Sequence, residues 1–411
     1  MNIKILSLKI RLTIVSLTVV LAAFTCQTAI ADKSNNTPAS KSDDKVFNIG
    51  FIELKKDPRY KKNTLFARFM GQALGRPYAG AALALKEIKF HGTELGISFD
   101  LQHAVAKKEK DISTKVDELY SDGIRFILVD LPANELTELT KKYSTKDIVF
   151  FNISAYETEL RQSQCQSNLF HTLPSHAMLA DALGQYLISK KWRQVLLLEG
   201  PLAEDKLLTE AFTAAAKRYG LKITDKRPFE LSNDPRKREK NNVTLISNGD
   251  QDVIYVADSQ GEFARNTPYQ TLNPNLIVGS EGLTASAWHW AWDRHGAPQL
   301  EKRFEKKNER PMTNIDWAAW MAVKAIAGAI QSTKSTELKT ITRHLTSDKN
   351  LLDTFKGYAS SFRPWNNQLR QPILLTTHTW VVDRAPITGF LHQTNNLDTL
   401  GIDQRNSQCK F

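Results

Sequence analysis

Short apolar runs alternate with amphipathic helical segments along most of the chain, and this alternation limits the fold more than any other feature of the sequence. The apolar run at 46–54, VFNIGFIEL, predicts a buried first strand, and apolar residues at helical spacing follow it between Pro77 and Ile88. The same succession of strand and helix continues to Asn152. Strands that alternate with helices form parallel sheets covered by helices, so the sequence predicts an α/β fold.

The alternation restarts near residue 165, which indicates a second α/β lobe. Ser175 begins a helix, and the short apolar strands VLLL, DVIYV and LIVG follow it. The chain has 411 residues, which exceeds the size at which a single hydrophobic core stops growing. A later segment, DWAAWMAVKAIAGAI, is apolar nearly all round, so it must pack into one of these lobes. For its Trp317 and Trp320 we favour core packing over stacking on a ligand.

The first residues predict export. Basic residues precede an apolar run that is shorter than the roughly 20 residues of a membrane-spanning helix. The small residues that end at Ala31 are typical of a cleavage site. We therefore expect a signal peptide at 1–31, a polar linker at 32–45 and a mature chain in the periplasm. A lipid-modified Cys26 is the alternative signal type.

Removal of the signal peptide leaves two cysteines, Cys165 and Cys409, in the mature chain. In an oxidising compartment two such thiols are normally joined, so we predict one disulfide. Two buried free cysteines are the alternative, because the sequence does not reveal how far apart they lie in space.

Charge and motifs argue against nucleic-acid binding and against catalysis. The chain has 55 Lys and Arg against 44 Asp and Glu, a net charge of +11, but the excess is spread out. Its densest basic cluster, at 236–240, lies among turn formers without interleaved aromatic residues.

No GxGxxG follows the first strand, and the sequence contains no P-loop, HExxH, CxxC or GxSxG motif. We expect a binding protein rather than an enzyme, with no cofactor and no metal site.

Several segments together resemble the type I periplasmic binding proteins, which include the branched-chain amino-acid receptors. The resemblance covers nearly the whole mature chain and is carried by FNIGFIEL, RPYAGAALALKEI, DELYSDGIRFILVD, NISAYETELR, DVIYVADSQGEF and VGSEGL. More narrowly, LFHTLPS, LDTLGIDQ and above all FKGYASSFRPWNNQLRQPILL are similar to ABC-transporter substrate-binding proteins that accompany pyrroloquinoline-quinone-dependent alcohol dehydrogenase systems.

This resemblance implies two Rossmann-like lobes with parallel sheets, joined by a three-crossing hinge around a cleft that closes over a ligand. Lobe 1 is expected at 46–164, completed by about 283–362, and lobe 2 at 165–282, completed by about 363–411. The implied partners are a small polar solute, an ABC permease in the inner membrane and a quinoprotein dehydrogenase system. The alternative is a periplasmic sensor or scaffold of that system that delivers no solute.

The resemblance also places candidate ligand contacts in the loops that follow strands of both lobes. They are Asn134, Ser154, Tyr156 and Thr158 in lobe 1, and Glu199, Asp258, Ser259 and Glu281 in lobe 2. Ser154 and Thr158 match hydroxyl positions with which the amino-acid receptors hold a carboxylate, and Glu281 lies near their acid for the ligand ammonium.

Each candidate has an alternative role, which is helix capping for the small polar residues and core packing for Tyr156. We expect Ser154 and Asp258 to face open solvent before a ligand binds. The sequence departs from the amino-acid receptors at DLPANE and LEGPLAED, which argues against an amino acid as the ligand.

Overall fold

A computed structural model describes most of the chain beyond the linker. The described residues are 45–60, 75–93, 95–230 and 234–411. The predicted signal peptide lies outside them, as do Cys26 and all of the linker except Lys45. Export therefore stays a prediction. Within the described residues, no helix has the length and apolar character that crossing a membrane requires.

The first sheet contains parallel strands from the first part of the chain. They are β1 (Lys45–Leu54), β2 (Ile97–Ala106), β3 (Phe126–Asp130), β4 (Val149–Asn152) and β5 (Leu169–His171). Their order is β2-β1-β3-β4-β5. Strand β5 pairs with β4 although it lies beyond residue 164, the end expected for lobe 1, so the first sheet continues to His171.

A second parallel sheet follows, in the order β7-β6-β8-β9, and an antiparallel sheet packs beside it. The second sheet contains β6 (Gln194–Glu199), β7 (Lys222–Pro228), β8 (Val253–Ala257) and β9 (Leu276–Gly279). The antiparallel sheet contains β10 (Thr284–Ser286), β13 (Ile373–Thr376) and β14 (Val381–Ala385). A small hairpin, β11 (Leu352–Asp353) and β12 (Ala359–Ser360), precedes β13.

Helices cover both parallel sheets. In the described residues they are α1 (Tyr78–Glu87), α2 (Lys89–Thr93), α3 (Ile112–Ser121), α4 (Ala133–Lys142), α5 (His176–Ser189), α6 (Ala203–Tyr219), α7 (Arg238–Asn241), α8 (Val243–Ile246), α9 (Thr267–Gln270), α10 (Ala297–Asn308), α11 (Asn314–Thr333) and α12 (Leu338–Leu345). As predicted, Ser175 begins α5: its hydroxyl oxygen accepts a hydrogen bond from the Met178 amide at 3.3 Å.

Strand β1 shows why the first sheet needs cover on both faces. Ile49 and Phe51 lie in one apolar cluster, whereas Ile52 and Leu54 lie in the cluster on the opposite face. Successive side chains of a strand point to opposite faces, so a continuous apolar run is buried only between two layers.

Helix α11 supplies much of the first cluster. Trp317 and Trp320 are fully buried there, which confirms the prediction of core packing. The helix lies against α1 so closely that a Cβ atom on Gly80 would stand 1.9 Å from the carbonyl oxygen of Asp316. Glycine is therefore required at this contact between the two helix backbones.

The two parallel sheets confirm the predicted α/β fold class. Within the described residues, the chain passes between the two sheets three times. The crossing segments are 172–176, 286–288 and 370–373.

Buried hydrogen bonds around Gln371 connect these three crossing segments. Gln371 Nε2 donates to the Thr172 carbonyl at 2.7 Å, and Gln371 Oε1 accepts from Lys356 Nζ at 2.8 Å. Lys356 Nζ also donates to the carbonyl of Ala287 at 2.9 Å. Both polar side chains are fully buried.

Two contacts hold the end of the chain against earlier segments. Cys165 and Cys409 form a disulfide, as predicted, with Cα atoms 5.7 Å apart. Asp398 is buried, and its Oδ1 accepts hydrogen bonds from Arg363 Nε at 2.8 Å and from Arg370 Nε at 2.9 Å. The tail is therefore fixed by a covalent bond and separately by a buried ion cluster.

Candidate functional site

A cleft of about 590 Å³ lies among the loops that follow the strands of both parallel sheets. Its wall includes Ser154 just beyond β4, Asp258 just beyond β8 and Glu281 just beyond β9. Open parallel sheets bind ligands at the carboxyl ends of their strands, so this cleft is the candidate site.

Most of the residues that sequence reasoning selected line this cleft. Those that line it are Ser154, Tyr156, Asp258, Ser259 and Glu281. The structure does not bring Asn134, Thr158 or Glu199 to its wall.

Each of these three outlying residues has a local environment that accounts for it. Asn134 is exposed in the first turn of α4. The Thr158 hydroxyl accepts a hydrogen bond from the Ala177 amide at 3.3 Å, and Glu199 forms an ion pair with Lys226 at 2.7 Å. The last two contacts occupy polar atoms that a ligand would otherwise use.

A charged network that sequence reasoning missed lies in the lobe 1 wall and centres on Arg59. Arg59 Nη2 donates to Asp57 Oδ2 at 2.6 Å and to Asp130 Oδ1 at 3.0 Å, and Nε donates to Asp57 at 3.1 Å. Its Nη1 donates to the Ser154 carbonyl and hydroxyl oxygens at 3.2 and 3.0 Å. All five N–H groups of the guanidinium are thus used within the protein.

Asp130 completes this network from the end of β3. It is fully buried, and its Oδ1 also accepts a hydrogen bond from Tyr60 at 3.0 Å. Burial raises the pKa of Asp130, and the Arg59 charge opposes that rise. A carboxylate that ends an apolar strand, as in FILVD, was the sequence signal for this residue.

The expectation that Ser154 and Asp258 face open solvent is wrong, since their exposed fractions are only 6% and 5%. Ser154 is held by Arg59, as described above. The loop after β8 folds back over Asp258, so that its carboxylate accepts backbone N–H groups from four residues. The donors are Gln260, Gly261, Phe263 and Ala264, at 2.9 to 3.2 Å.

Asp258→Ala should therefore lower the free energy of unfolding by about 2–3 kcal/mol, because it leaves buried amides without an acceptor. Urea denaturation followed by tryptophan fluorescence would measure the change. Ser259→Ala is the matched control, since it removes a neighbouring hydroxyl from the same cleft wall and leaves the backbone bonds in place. Equal stability of the two variants would contradict the capping role.

Glu281 presents one carboxylate oxygen to the cleft. Its Oε1 accepts the Gly282 amide at 2.9 Å and lies 2.6 Å from His378 Nε2. No described residue donates a hydrogen bond to Oε2, although only 6% of the residue is exposed. Its Oε2 is therefore open to a hydrogen bond from a molecule in the cleft.

Aromatic and imidazole rings form another part of the wall. His176 stacks on Tyr156 with centroids 5.5 Å apart, and His289 stacks on Trp290 at 5.6 Å. Burial lowers the pKa of both histidines to about 4, so both are neutral at pH 7. Trp290 remains 42% exposed. Among the described residues, no group of three or more His, Cys, Asp or Glu is placed to hold a metal ion.

Comparisons with known proteins agree with this architecture. Residues 71–237 match the family model described as periplasmic binding protein. No curated protein matches the chain in sequence.

Solved structures match over most of the chain. One is the leucine-, isoleucine-, valine-, threonine- and alanine-binding protein from Brucella ovis in a closed conformation, with 15% identity, a TM-score of 0.66 and coverage of 80% of this chain and 89% of that one. Another is a branched-chain amino-acid ABC transporter periplasmic ligand-binding protein from Burkholderia xenovorans LB400, with 14% identity, a TM-score of 0.62 and the same two coverages. An ABC transporter substrate-binding protein from Desulfitobacterium hafniense is 18% identical, with a TM-score of 0.62 and coverage of 81% and 98%. The chain therefore has the α/β fold of the type I periplasmic binding proteins.

Proposed function

We propose that this chain is the periplasmic substrate-binding component of an ABC transporter and binds a small polar solute between its lobes. The observation that carries the proposal is the cleft of about 590 Å³, whose polar wall combines loops from both parallel sheets. Its volume falls in the range of small-molecule sites. The fold shared with solute-binding proteins supports the same function.

Closure of the two lobes follows from this arrangement. A ligand that contacts both walls gains contacts when the lobes approach, so it binds the closed form more tightly and shifts the population toward it. The lobes we propose are 46–164 with about 283–362, and 165–282 with about 363–411, with three adjustments. Strand β5 belongs with the first sheet, β10 packs with the second lobe, and Leu369 packs in the first. An ABC permease would receive the closed form.

A link to quinone-dependent alcohol oxidation is the finer part of the proposal. It is supported by the similarity of FKGYASSFRPWNNQLRQPILL to proteins of those systems. In the fold, this run contains the third crossing and the arginines that hold the tail. A sensor or scaffold of the same system remains the alternative function, and the following experiment separates the two.

Blocking the cleft should abolish binding and closure together. The side chain of Ser259 lines the cleft, so Ser259→Trp should weaken binding of the co-purified solute at least about 100-fold by filling the cavity. The solute would be identified by mass spectrometry of the mature chain, its affinity measured by calorimetry and closure measured by small-angle scattering.

Ser144→Trp is the matched control, because Ser144 is exposed and lies away from the cleft. We expect it to bind and compact like the unaltered protein. Full binding by Ser259→Trp, or binding without compaction, would favour the scaffold function.

A further inference from the structure

The guanidinium in the lobe 1 wall is not available to an anionic ligand. Every N–H group of Arg59 is directed at Asp57, Asp130 or Ser154. Its positive charge is balanced by two buried carboxylates. A ligand carboxylate would have to break these bonds, so Arg59 offers it no free donor.

The Ser154 hydroxyl is also directed at this network, because its oxygen accepts a hydrogen bond from Arg59 Nη1 at 3.0 Å and the hydroxyl interacts with the Asp130 carboxylate. The other predicted carboxylate contact, Thr158, lies outside the wall and accepts a backbone amide. Of the two hydroxyl positions that the resemblance to amino-acid receptors implies, one is thus held by the Arg59 network and the other lies outside the cleft.

Carboxylates with unused hydrogen-bonding capacity occur on both walls. Glu157, in the loop after β4, lines the cleft, and its buried Oε2 receives no hydrogen bond from any described residue. Glu281 lines the opposite wall, and its Oε2 accepts no hydrogen bond from the described residues. Glu204 lies exposed at the start of α6. Unpaired buried carboxylate oxygens cost free energy, and a ligand that donates hydrogen bonds removes that cost.

The remaining groups do not reverse the sign of the charge in the cleft. Arg59 and Arg265 also line it, but Arg59 is paired with Asp57 and Asp130. The acidic lining residues Glu157, Glu204, Asp258 and Glu281 outnumber these two arginines. His176 and His289 are neutral at pH 7, as described above. The cleft is therefore acidic in a chain whose net charge is +11.

An aromatic ring in the wall suits the same kind of ligand. Trp290 is 42% exposed and lines the cleft, while His289 stacks against it. The face of an indole ring attracts ammonium and guanidinium groups within about 6 Å. Cation recognition commonly combines such a ring with carboxylates that accept N–H hydrogen bonds.

From these contacts, and resting on the proposed function, we propose that the solute is an organic cation that carries an amine or guanidinium group and no carboxylate. Glu157 and Glu281 accept its N–H groups from opposite walls, and Trp290 covers the cation. Amines that correspond to decarboxylated amino acids have this chemistry.

The test uses matched pairs that differ only by a carboxylate. The probes are phenethylamine with phenylalanine, 1,4-diaminobutane with ornithine, and agmatine with arginine, with phenylacetate as an anion. Binding to the ligand-free mature chain would be measured by thermal shift and calorimetry, and native mass spectrometry would identify any molecule retained from the cell. We expect at least one amine to bind at least tenfold more tightly than its amino-acid partner, and a retained molecule to be a cation without a carboxylate.

Two variants test the residues. Glu157→Gln and Glu281→Gln should each weaken amine binding about tenfold to a hundredfold, because each replaces a charged acceptor with a neutral one. Glu159→Gln is the matched control, because Glu159 is exposed, lies two residues from Glu157 and does not line the cleft. This variant should bind the amines with unchanged affinity.

The outcomes distinguish this proposal from the proposed function. Tighter binding of amino acids or phenylacetate, or a retained molecule with a carboxylate, would overturn the cation assignment while leaving solute binding intact. A chain that retains no small molecule and binds none of the probes would contradict both. Equal losses in all three glutamine variants would assign the effect to general electrostatics and reject the two named contacts.

Discussion

Replacing Asp398 with alanine should lower the free energy of unfolding by about 3–5 kcal/mol. Arg363 and Arg370 both donate to this carboxylate, and the side chains of the three residues are only 1%, 9% and 0% exposed. Burial lowers the pKa of Arg363, and the Asp398 charge opposes that effect. Without Asp398, two buried guanidinium groups lose their counter-charge, which is far more costly than loss of a surface pair.

Urea denaturation of the variant would measure this loss. The free energy of unfolding of Asp398→Asn should lie between those of Asp398→Ala and the unaltered protein, because the amide oxygen still accepts a hydrogen bond but carries no charge. Asp348→Ala is the surface control, since Asp348 is exposed, and it should change stability by less than about 0.5 kcal/mol. A loss in Asp398→Ala no larger than this would contradict the proposed importance of the cluster.

Removal of the disulfide should also cost several kcal/mol. The bond joins residues 244 positions apart, and closing so long a loop in the unfolded chain contributes up to about 5 kcal/mol in the chain-entropy model. We expect a loss of about 2–5 kcal/mol in the double variant Cys165→Ser, Cys409→Ser. The native tail should stay in place near residue 398, because the arginine cluster holds it independently.

Chemical denaturation with and without a reductant would test this expectation. The reductant should destabilise the unaltered protein and leave the double variant unchanged. Hydrogen exchange at Leu397 and Leu400 should remain slow in the folded double variant, because their amides donate to Asn395 Oδ1 and to the Leu397 carbonyl in a segment that buried Arg363 holds in place. Equal unfolding curves for both proteins under oxidising conditions would show that the bond adds no stability.

The elements with strong periodic patterns were predictable from the sequence. The first strand was expected at 46–54 and spans Lys45–Leu54, and the all-apolar segment became the buried helix α11. The run PILLTTHTWVVD, which predicts one or two strands, forms the two strands β13 and β14. In each case the pattern is local, so neighbouring residues are enough to specify it.

The candidate site was predictable in position but not in chemistry. Loops after parallel strands could be located, but the Arg59 network joins side chains 71 residues apart, and no local pattern encodes that contact. Asp258 looked like a ligand contact because it follows a strand. Its actual partners depend on how the next six residues turn, which composition does not determine.

The bonds around Gln371 impose a mechanical condition on the hinge. Thr172, Gln371 and Ala287 belong to different crossings, yet Gln371 and Lys356 connect them through buried hydrogen bonds. Bending one crossing alone would remove hydrogen-bond acceptors from the buried Lys356 Nζ and from the buried Gln371 amide, whereas twisting all three crossings together keeps the bonds intact. For the proposed closure we therefore expect torsion about a common axis, in which displacement grows with distance from that axis. Cleft residues next to the crossings then act as a nearly stationary platform, while the outer rim travels farthest.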